Sequence, residues 1–309
     1  MPPAIAVKNL VKKFAQATAV DGLSFSVERG EIFGLVGPDG AGKTTMMRML
    51  VGVLLPSSGT AEVAGFDVVR QAEEIKKRIG YMSQKFSLYG ELSVQENLNF
   101  FADLYLVPEK EKAERQKRLL HFSKLGPFVD RQARHLSGGM KQKLGLSCAL
   151  IHTPQILFLD EPTTGVDPVS RRELWEIVYD LLKENVTVFV STPYMDEAER
   201  CSRVAFIHKG KILALDDPKR LKASSGREVF EVKVKNPRQW RESLEHLPGL
   251  LELEIFGDKL HLSFAKGRME EKELAELLSR RGAEADSVRR ILPSLEDLFI
   301  SLAKDKPTG

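Results

Sequence analysis

Cysteine is scarce in this sequence, since only Cys148 and Cys201 occur among 309 residues. A disulfide framework or a cysteine-rich metal site needs cysteines at short, paired spacings, and these two have none. Both lie in apolar or helical surroundings, so we expect buried thiols in a reducing cytosol.

Long apolar runs are also missing. No uninterrupted apolar segment reaches the roughly 20 residues of a membrane-spanning helix, and Met1-Pro2-Pro3 does not open a secretory signal. We therefore expect that, if the protein acts on a membrane, it does so through a partner.

An excess of one charge is absent as well. The 46 Lys and Arg residues nearly balance the 43 Asp and Glu residues, giving a formal charge of +3 and a pI near 8.7. This balance does not mark a nucleic-acid-binding protein, and we expect no nucleic-acid partner. A slightly basic surface would also suit an anionic membrane face. The length and the 42% hydrophobic content predict a main body with a smaller appendage.

The residues that are present centre on a glycine loop after Ile32–Val36, an apolar run that predicts a buried strand. This phosphate loop consists of Gly37, Pro38, Asp39, Gly40, Ala41, Gly42, Lys43, Thr44 and Thr45. A helix is expected to follow it, from Met46 to Leu54. The glycines let backbone N–H groups point at one anion, and the helix start adds a positive dipole end. Lys43 is expected to reach the β- and γ-phosphates, and the Thr44 hydroxyl to coordinate Mg²⁺. The pattern predicts a nucleoside triphosphate with magnesium as the ligand.

Two carboxylates end a second apolar run, which predicts another buried strand. Asp160, at the strand terminus, is predicted to hold Mg²⁺ directly or through water, and Glu161 to polarise an attacking water. Gln84 ends a short predicted strand at a loop, from which its amide could approach the bound phosphate or its metal.

A serine and two glycines, Ser137, Gly138 and Gly139, open a later predicted helix. Ser137 is a candidate cap, and the free N–H groups of the helix start are a candidate second anion site; a plain cap would explain the serine alone. Phe14 lies in a loop region of a predicted antiparallel sheet, where it could stack on a base or pack as a satellite core residue.

In this order the motifs resemble the nucleotide-binding subunit of an ABC transporter, over roughly residues 4–222. The phosphate loop, Gln84, the Ser137–Gly139 segment, the Asp160-Glu161 strand end and Asp167 carry the resemblance. It implies an α/β P-loop NTPase core with an antiparallel β-subdomain and a helical insert at about residues 85–151. It also implies an ATPase with ATP and Mg²⁺ as cofactors.

The resemblance further implies a head-to-tail dimer, in which the Ser137–Gly139 segment of one subunit covers ATP at Lys43 of the other. Asp167 would contact the opposite subunit, and Phe14 would stack on adenine. Gln84 would sense the γ-phosphate and its metal beside the catalytic Glu161, and would couple the site to the membrane subunit.

Within the family, three segments look like ATPases that serve multidrug and antibiotic exporters with separate ABC-2-type membrane subunits: Gly138–Gln142, Tyr194–Glu199 and Pro293–Phe299. Gly37–Gly40 and the residues around Gln84 are also similar to the first half of tandem ATPases. The implied function couples ATP binding and hydrolysis to efflux of drugs or other small molecules by a separate permease. The chain would then be cytoplasmic and peripheral on the inner face of the cell membrane. Its partner ATP-binding domain could be identical, different or fused.

One residue departs from the family pattern. Pro193 stands where these ATPases carry a histidine that contacts the γ-phosphate, and proline offers neither a side-chain donor nor a backbone N–H. Two interpretations stay open: the site at Lys43 and Glu161 binds ATP but hydrolyses it poorly, or Glu161 alone sustains hydrolysis. His208 is interpreted as a strand residue rather than a replacement.

Two other functions also stay open at this point. One is a soluble ABC-type ATPase that acts on nucleic acid or ribosomes, and the other is a regulatory ATP-binding half with little hydrolysis. The nucleic-acid or ribosome function is disfavoured, because the sequence has one motif set, no long heptad region and no strong basic face.

The composition shifts near residue 225, which predicts an ATP-binding domain at residues 1–225 and an accessory domain at residues 226–309. The order βαββαβ in the second domain predicts a small α+β, ferredoxin-like fold, followed by a helix capped at Ser294. This domain carries no evident catalytic constellation, and dimerisation, regulation and a passive structural role all remain open for it.

Overall fold

The computed structural model describes residues 2–85, 87–224, 226–283 and 285–305. The chain divides into two compact units, residues 1–216 and residues 217–309. The division falls slightly before the expected boundary at residue 225, which itself lies outside the described residues. A short helix, Pro218–Ala223, therefore belongs to the second unit.

The first unit contains, in chain order, β1 (Ile5–Phe14), β2 (Ala17–Val27), β3 (Ile32–Val36), α1 (Lys43–Leu50), β4 (Ser58–Val63), β5 (Phe66–Asp67), α2 (Ala72–Lys76), β6 (Ile79–Met82), α3 (Val94–Leu104), α4 (Glu109–Ser123), α5 (Gly138–Leu150), β7 (Ile156–Asp160), α6 (Pro168–Lys183), β8 (Thr187–Thr192), α7 (Met195–Ala198), β9 (Arg203–His208) and β10 (Lys211–Asp216). Two short 3₁₀ turns, Gly126–Phe128 and Ala133–His135, precede α5.

The antiparallel sheet expected near the start of the chain is present. Its order is β2-β1-β4-β5. Alternate residues are buried at Ile5 and Val7 of β1 and from Leu23 to Val27 of β2, as the sequence predicts, and register shifts after Val7 interrupt the alternation. This sheet shares a continuous core with the apolar face of α1, formed by Met46, Met47, Met49 and Leu50.

A six-stranded sheet with the order β10-β9-β3-β8-β7-β6 forms the centre of the first unit. Strands β9, β3, β8, β7 and β6 run parallel, and only β10 is antiparallel. Every residue of β3, β7 and β8 is buried, which explains their continuous apolar sequences. The carboxyl ends of these parallel strands share one edge of the sheet, where ligands of open α/β folds bind.

Helix α1 differs from the sequence prediction at both ends. It begins at Lys43, with Gly42 as its cap at φ +109°, and it ends at Leu50 rather than Leu54. Gly52 has φ +72°, a left-handed conformation that ends a helix readily. The first turn of the helix, Lys43 to Thr45, is polar, so the apolar periodicity that predicted the helix starts only at Met46, one turn after the helix itself begins.

Helices α3, α4 and α5 form the helical insert that the resemblance implied. Ser93 caps α3 in a capping box with Glu96, as the spacing of the two residues predicted. Apolar residues of these helices meet in a separate cluster that includes Leu98 of α3 and Leu144 of α5, with Leu120 of α4 packed against it.

The second unit contains α8 (Pro218–Ala223), β11 (Arg227–Val234), α9 (Pro237–Leu244), β12 (Leu250–Phe256), β13 (Lys259–Ala265), α10 (Glu271–Arg280), β14 (Ala285–Ile291) and α11 (Leu295–Asp305). The sheet order β12-β13-β11-β14, with all pairs antiparallel, is the ferredoxin-like arrangement that the order βαββαβ predicts. Its core is built around Phe230, Leu262 and Phe264.

Both cysteines are buried free thiols. Burial raises the pKa of the Cys148 and Cys201 thiols, so both stay protonated at neutral pH. Within the described ranges, no helix combines the length and the apolar character that crossing a membrane requires.

Candidate nucleotide site

The phosphate loop lies against the carboxyl ends of β8 and β9. The Gly37 N–H donates to the Thr192 carbonyl at 3.2 Å. A Cβ atom at Gly37 would lie 2.1 Å from the Ile207 carbonyl oxygen, and one at Gly42 would lie 2.2 Å from the Ala19 carbonyl oxygen. Only glycine fits at these two positions, because backbone atoms occupy the space of any side chain.

The Lys43 ammonium makes two hydrogen bonds within this loop and one buried ion pair outside it. Its Nζ atom donates to the carbonyls of Gly37 at 2.8 Å and Pro38 at 3.1 Å, and lies 3.0 Å from Glu161 Oε1. The Lys43 and Glu161 side chains are only 3% and 6% exposed, whereas Asp39, 4.0 Å from the same ammonium, is 91% exposed. The dominant ion pair of the loop is therefore the buried one with Glu161.

Asp160 ends β7 and faces the first turn of α1. Its Oδ1 atom accepts hydrogen bonds from the Thr44 hydroxyl at 3.1 Å and the Ser191 hydroxyl at 2.6 Å. Its Oδ2 atom is buried without a hydrogen-bond partner among the described residues. Burial raises the pKa of Asp160, and the neighbouring Glu161 carboxylate adds to that rise. A buried oxygen without a partner beside a threonine hydroxyl fits a site for a divalent cation.

Glu161 is the next residue, and its backbone is in the left-handed region with φ +50°. Such a conformation costs a non-glycine residue about 1–3 kcal/mol and persists where its surroundings hold it. The Glu161 N–H donates to both the carbonyl and the hydroxyl of Ser191, each at 3.1 Å. Its Oε2 atom accepts from Gln84 Nε2 at 2.8 Å and from the Thr164 hydroxyl at 3.3 Å. The turn thus directs Glu161 away from Asp160 and toward Lys43 and Gln84.

The Ser137–Gly139 segment lies beside the start of α6. Ser137 caps α5 by accepting from the Met140 N–H at 3.3 Å, and Ser137 and Gly138 are exposed. Asp167 is exposed as well and caps α6 by accepting from the Ser170 N–H at 2.9 Å; this bond lowers the pKa of Asp167. A Cβ atom at Gly139 would lie 2.3 Å from the Ser170 hydroxyl oxygen, so the first turns of α5 and α6 pack closely.

The remaining predicted residues lie at the margins of these two groups. Phe14 is 50% exposed at the end of β1, with Lys12 Nζ 5.2 Å from the centre of its ring, and is not part of the core. Pro193 directly follows Thr192, whose carbonyl accepts from Gly37. His208 is the last residue of β9 and pairs with Lys211, as expected for a strand residue.

Three residues with contacts in the site were not identified from the sequence. Ser191 and Thr192 end the apolar strand β8, and Tyr81 lies on β6. Burial and the Asp160 carboxylate raise the pKa of Tyr81. Ser191 and Thr192 could have been predicted from the sequence, because polar residues at the carboxyl end of a buried parallel strand lie at the edge of the sheet where ligands bind.

The structure therefore separates the predicted residues into two groups. Lys43, Thr44, Gln84, Asp160 and Glu161 form one network of hydrogen bonds and ion pairs at the ends of β3 and β7. Ser137, Gly138 and Asp167 form an exposed surface at the starts of α5 and α6, and Gly139 is buried behind it against Ser170.

Comparison with known families gives matches in both units. A family profile described as ABC transporter matches residues 20–164. A second profile, described as the C-terminal domain of DrrA1-3-like ATP-binding proteins, matches residues 217–303.

Several curated proteins are similar over nearly the whole chain. The Probable multidrug ABC transporter ATP-binding protein YbhF of Escherichia coli K12 is 41% identical over 305 residues, which cover 96% of this chain and 52% of that protein. The chain thus spans about half the length of this relative. The daunorubicin resistance ATP-binding protein DrrA3 of Streptomyces coeruleorubidus is 35% identical, with 98% of this chain and 96% of that protein covered. The Nod factor export ATP-binding protein I of Ralstonia nicotianae is 36% identical, with coverages of 97% and 94%.

Solved structures of ABC transporter proteins are also similar to this chain. An ATP-binding subunit of an ABC transporter superposes with a TM-score of 0.67 at 28% identity, covering 72% of this chain and 93% of that one. CbiO1 of Clostridium perfringens, part of the ABC transporter complex cbiONQ, gives a TM-score of 0.66 at 25% identity, with coverages of 80% and 97%.

Proposed function

The chain belongs to the family of ABC transporter ATP-binding proteins, and on that premise we propose that it binds and hydrolyses MgATP to power export by a separate membrane subunit. The observation that carries this proposal is the network at the ends of β3 and β7, where the phosphate loop meets two adjacent carboxylates with different partners. Asp160 faces Thr44, and Glu161 faces Lys43 and Gln84. This division suits one carboxylate for a metal and the other for water.

Thr44 and Asp160 are the residues that would hold Mg²⁺. Two protein ligands suit this ion, which commonly binds one or two protein groups together with phosphate oxygens and water. A metal site built from protein ligands alone is not found, since the described part of the chain contains no group of three or more His, Cys, Asp or Glu residues that could hold a metal ion. When bound, the ion supplies charge neutralisation at the phosphates.

The side chains of this site have distinct roles in the proposed reaction. The phosphate loop binds the phosphates through its N–H groups and through Lys43, which exchanges its internal partners for phosphate oxygens. Glu161 polarises the attacking water, and Gln84, which donates to Glu161 in this structure, orients that carboxylate and its water. Catalysis then depends on positioning and on electrostatic stabilisation rather than on a covalent intermediate.

A second ATP-binding domain is the first partner that we propose. Ser137, Gly138 and Asp167 are exposed on one surface, and the helix start behind Ser137 offers N–H groups to an anion. On a neighbouring copy, a different chain or a fused half, this surface would cover the nucleotide bound at Lys43. Phe14 is exposed and is proposed to stack on the adenine.

A membrane permease, of the ABC-2 type, is the second proposed partner. A small pocket next to Gln84 is lined in part by Tyr81, Lys85, Phe101 and Tyr105. Leu104 and Leu106 of the helical insert are 59% and 86% exposed, which provides apolar contact surface in the same subdomain. Because Gln84 bonds to Glu161, a permease segment that packs on this surface would sense the state of the site. The chain would then be cytoplasmic and peripheral at the inner face of the membrane.

Small-molecule efflux is the proposed transport process. The relatives are named for multidrug transport, daunorubicin resistance and Nod factor export, which together support export of drugs or other small molecules. Co-purification of a membrane protein rather than RNA would support this role against a soluble ABC ATPase that acts on nucleic acid.

Pro193 is expected to make hydrolysis at this site slow. Residue 193 directly follows the Thr192 carbonyl that binds Gly37, so a donor there would lie beside the phosphate loop. Loss of one donor to the developing charge costs about 2.7–4 kcal/mol, or about 100-fold or more in rate.

The test is phosphate release from MgATP by wild type, Pro193→His and Glu161→Gln. We expect a slow wild-type rate that clearly exceeds that of Glu161→Gln, and an increase of about 100-fold in Pro193→His. A normal wild-type rate that Pro193→His does not change would overturn the assignment of Pro193. A wild-type rate equal to that of Glu161→Gln would overturn hydrolysis and leave a regulatory ATP-binding half.

A further inference from the structure

Glu197 is a fully buried carboxylate that has no role in the reaction described above. It lies on α7, four residues after Pro193, and its exposed fraction is 0%. Its Oε1 atom accepts a short hydrogen bond from the Thr163 hydroxyl, and its Oε2 atom accepts from the Thr192 hydroxyl at 2.6 Å. A buried carboxylate is costly unless it is well paired, so this arrangement calls for an explanation.

The two threonines belong to the two segments that form the nucleotide site. Thr163 follows Glu161 by two residues, and its carbonyl accepts from the Val166 N–H at 3.1 Å in the same turn. Thr192 is the last residue of β8, and its carbonyl accepts from the Gly37 N–H. One carboxylate therefore joins the turn that carries Glu161 to the strand end that contacts the phosphate loop.

Arg171 on α6 adds a third connection. Its Nε atom lies 3.9 Å from Glu197 Oε1 and is buried without a hydrogen-bond partner among the described residues. Its guanidinium group lies 4.5 Å from the centre of the Tyr194 ring, and the Tyr194 N–H donates to the Thr192 hydroxyl at 3.1 Å. The residues on both sides of Pro193 are thus fixed by the same network.

The backbone of Glu161 shows why such a network is needed. Its left-handed conformation is strained and must be held on both sides. Ser191 holds the N–H of Glu161 on the upstream side. On the downstream side, the Thr163 hydroxyl is tied to Glu197.

We propose that Glu197 is a positioning residue, which fixes the Glu161 turn relative to the phosphate loop through Thr163 and Thr192. It touches neither nucleotide nor water itself. The proposal rests on the hydrolytic function proposed above, because it concerns the placement of the carboxylate that polarises water.

The experiment measures single-turnover hydrolysis with the chain in excess over MgATP, and ATP affinity by equilibrium titration. Wild type and Glu161→Gln are compared first. The variants are Glu197→Gln, which keeps the shape of the side chain, and the matched pair Thr163→Val and Thr163→Ser, of which only the serine keeps a hydroxyl. Thermal midpoints confirm that each variant is folded.

We expect Glu197→Gln and Thr163→Val to slow single-turnover hydrolysis by about 10-fold or more, with the ATP dissociation constant within about twofold of wild type. Thr163→Ser should retain a rate within about threefold of wild type, and Glu197→Gln with Thr163→Val should be no slower than the slower single variant. A role in general stability alone would instead change affinity, thermal midpoint and rate together.

Three results would overturn the proposal. If Glu197→Gln and Thr163→Val both keep the wild-type rate, or lose affinity as much as rate, the network does not position Glu161. If Thr163→Ser is as slow as Thr163→Val, the hydroxyl is not the link. If wild type is no faster than Glu161→Gln, hydrolysis itself is refuted before any Glu197 variant is compared, and this proposal falls with it.

Discussion

Replacing Glu161 by glutamine should make the chain bind nucleotide more tightly. In the structure, the Lys43 ammonium donates to the carbonyls of Gly37 and Pro38 and forms a buried ion pair with Glu161. A phosphate oxygen that approaches this ammonium competes with these three partners. The buried ion pair with Glu161 therefore competes with the ligand, and Glu161→Gln removes the charged competitor.

The size of the effect follows from the geometry of this pair. Two unit charges 3.0 Å apart attract by about 5.5 kcal/mol at an effective dielectric constant of about 20, but desolvation offsets much of this. We take the net contribution as about 2 kcal/mol, which is typical of polar contacts to a charged group. We therefore expect Glu161→Gln to lower the dissociation constants of MgATP and MgADP by about 30-fold.

Calorimetric titration of both nucleotides tests this expectation. Asp39→Asn is the matched control, because Asp39 is almost fully exposed and 4.0 Å from the same ammonium, so its loss should change affinity by less than about twofold. Unchanged affinity for both nucleotides in Glu161→Gln would refute the reasoning. So would a gain seen only with MgATP that grows with protein concentration, since it would reflect dimer trapping rather than release of Lys43.

Asp160→Asn should raise the thermal midpoint of the nucleotide-free chain, although it removes the Mg²⁺ dependence of ATP affinity. Burial raises the pKa of Asp160, so the folded chain binds this proton more tightly than the unfolded chain, and the charged form costs stability above that pKa. The gain should therefore be larger at about pH 7 than at about pH 4 in paired melting curves, and a lower midpoint at pH 7 would contradict this. Gly37→Ala should lower stability by about 3 kcal/mol or more, because its Cβ atom would meet a backbone carbonyl at 2.1 Å. Gly40→Ala meets nothing within 4 Å and should cost only about 1–2 kcal/mol for its φ of +77°, so equal losses in denaturant unfolding would contradict the close-approach argument.

The sequence predicted the elements whose signals are local. A glycine loop between an apolar run and a helix is a pattern within one short segment, and it correctly located the loop around Lys43. The ferredoxin-like order of the second unit followed from the sequence of strands and helices, because few sheet topologies satisfy βαββαβ. The capping box of Ser93 and Glu96 depended only on a three-residue spacing.

Contacts between distant segments could not be predicted in the same way. Ser191 reaches Asp160 because β7 and β8 are neighbours in the sheet, and no periodicity in the chain states that order. Glu197 contacts Thr163 because of the turn that follows Glu161. The left-handed backbone of Glu161 could not be predicted, since glutamate is not a residue type that marks this conformation. In sequence, Glu197 resembles any acidic residue of a short surface helix, although its side chain is fully buried.

The position of β3 in the central sheet has a consequence for the synthesis of the chain. Its two neighbours, β8 and β9, lie more than 150 residues later in the sequence, so β3 has no pairing partner in this sheet until β8, which ends at Thr192, has left the ribosome. At about 5–20 residues per second, that wait lasts about 8 to 30 s. During this time β3 lacks its neighbours in the central sheet, and slow, non-local pairing of this kind favours aggregation. We expect a nascent chain stalled before β8 to recruit chaperones, and the nucleotide to become a folding ligand only after β9 has emerged.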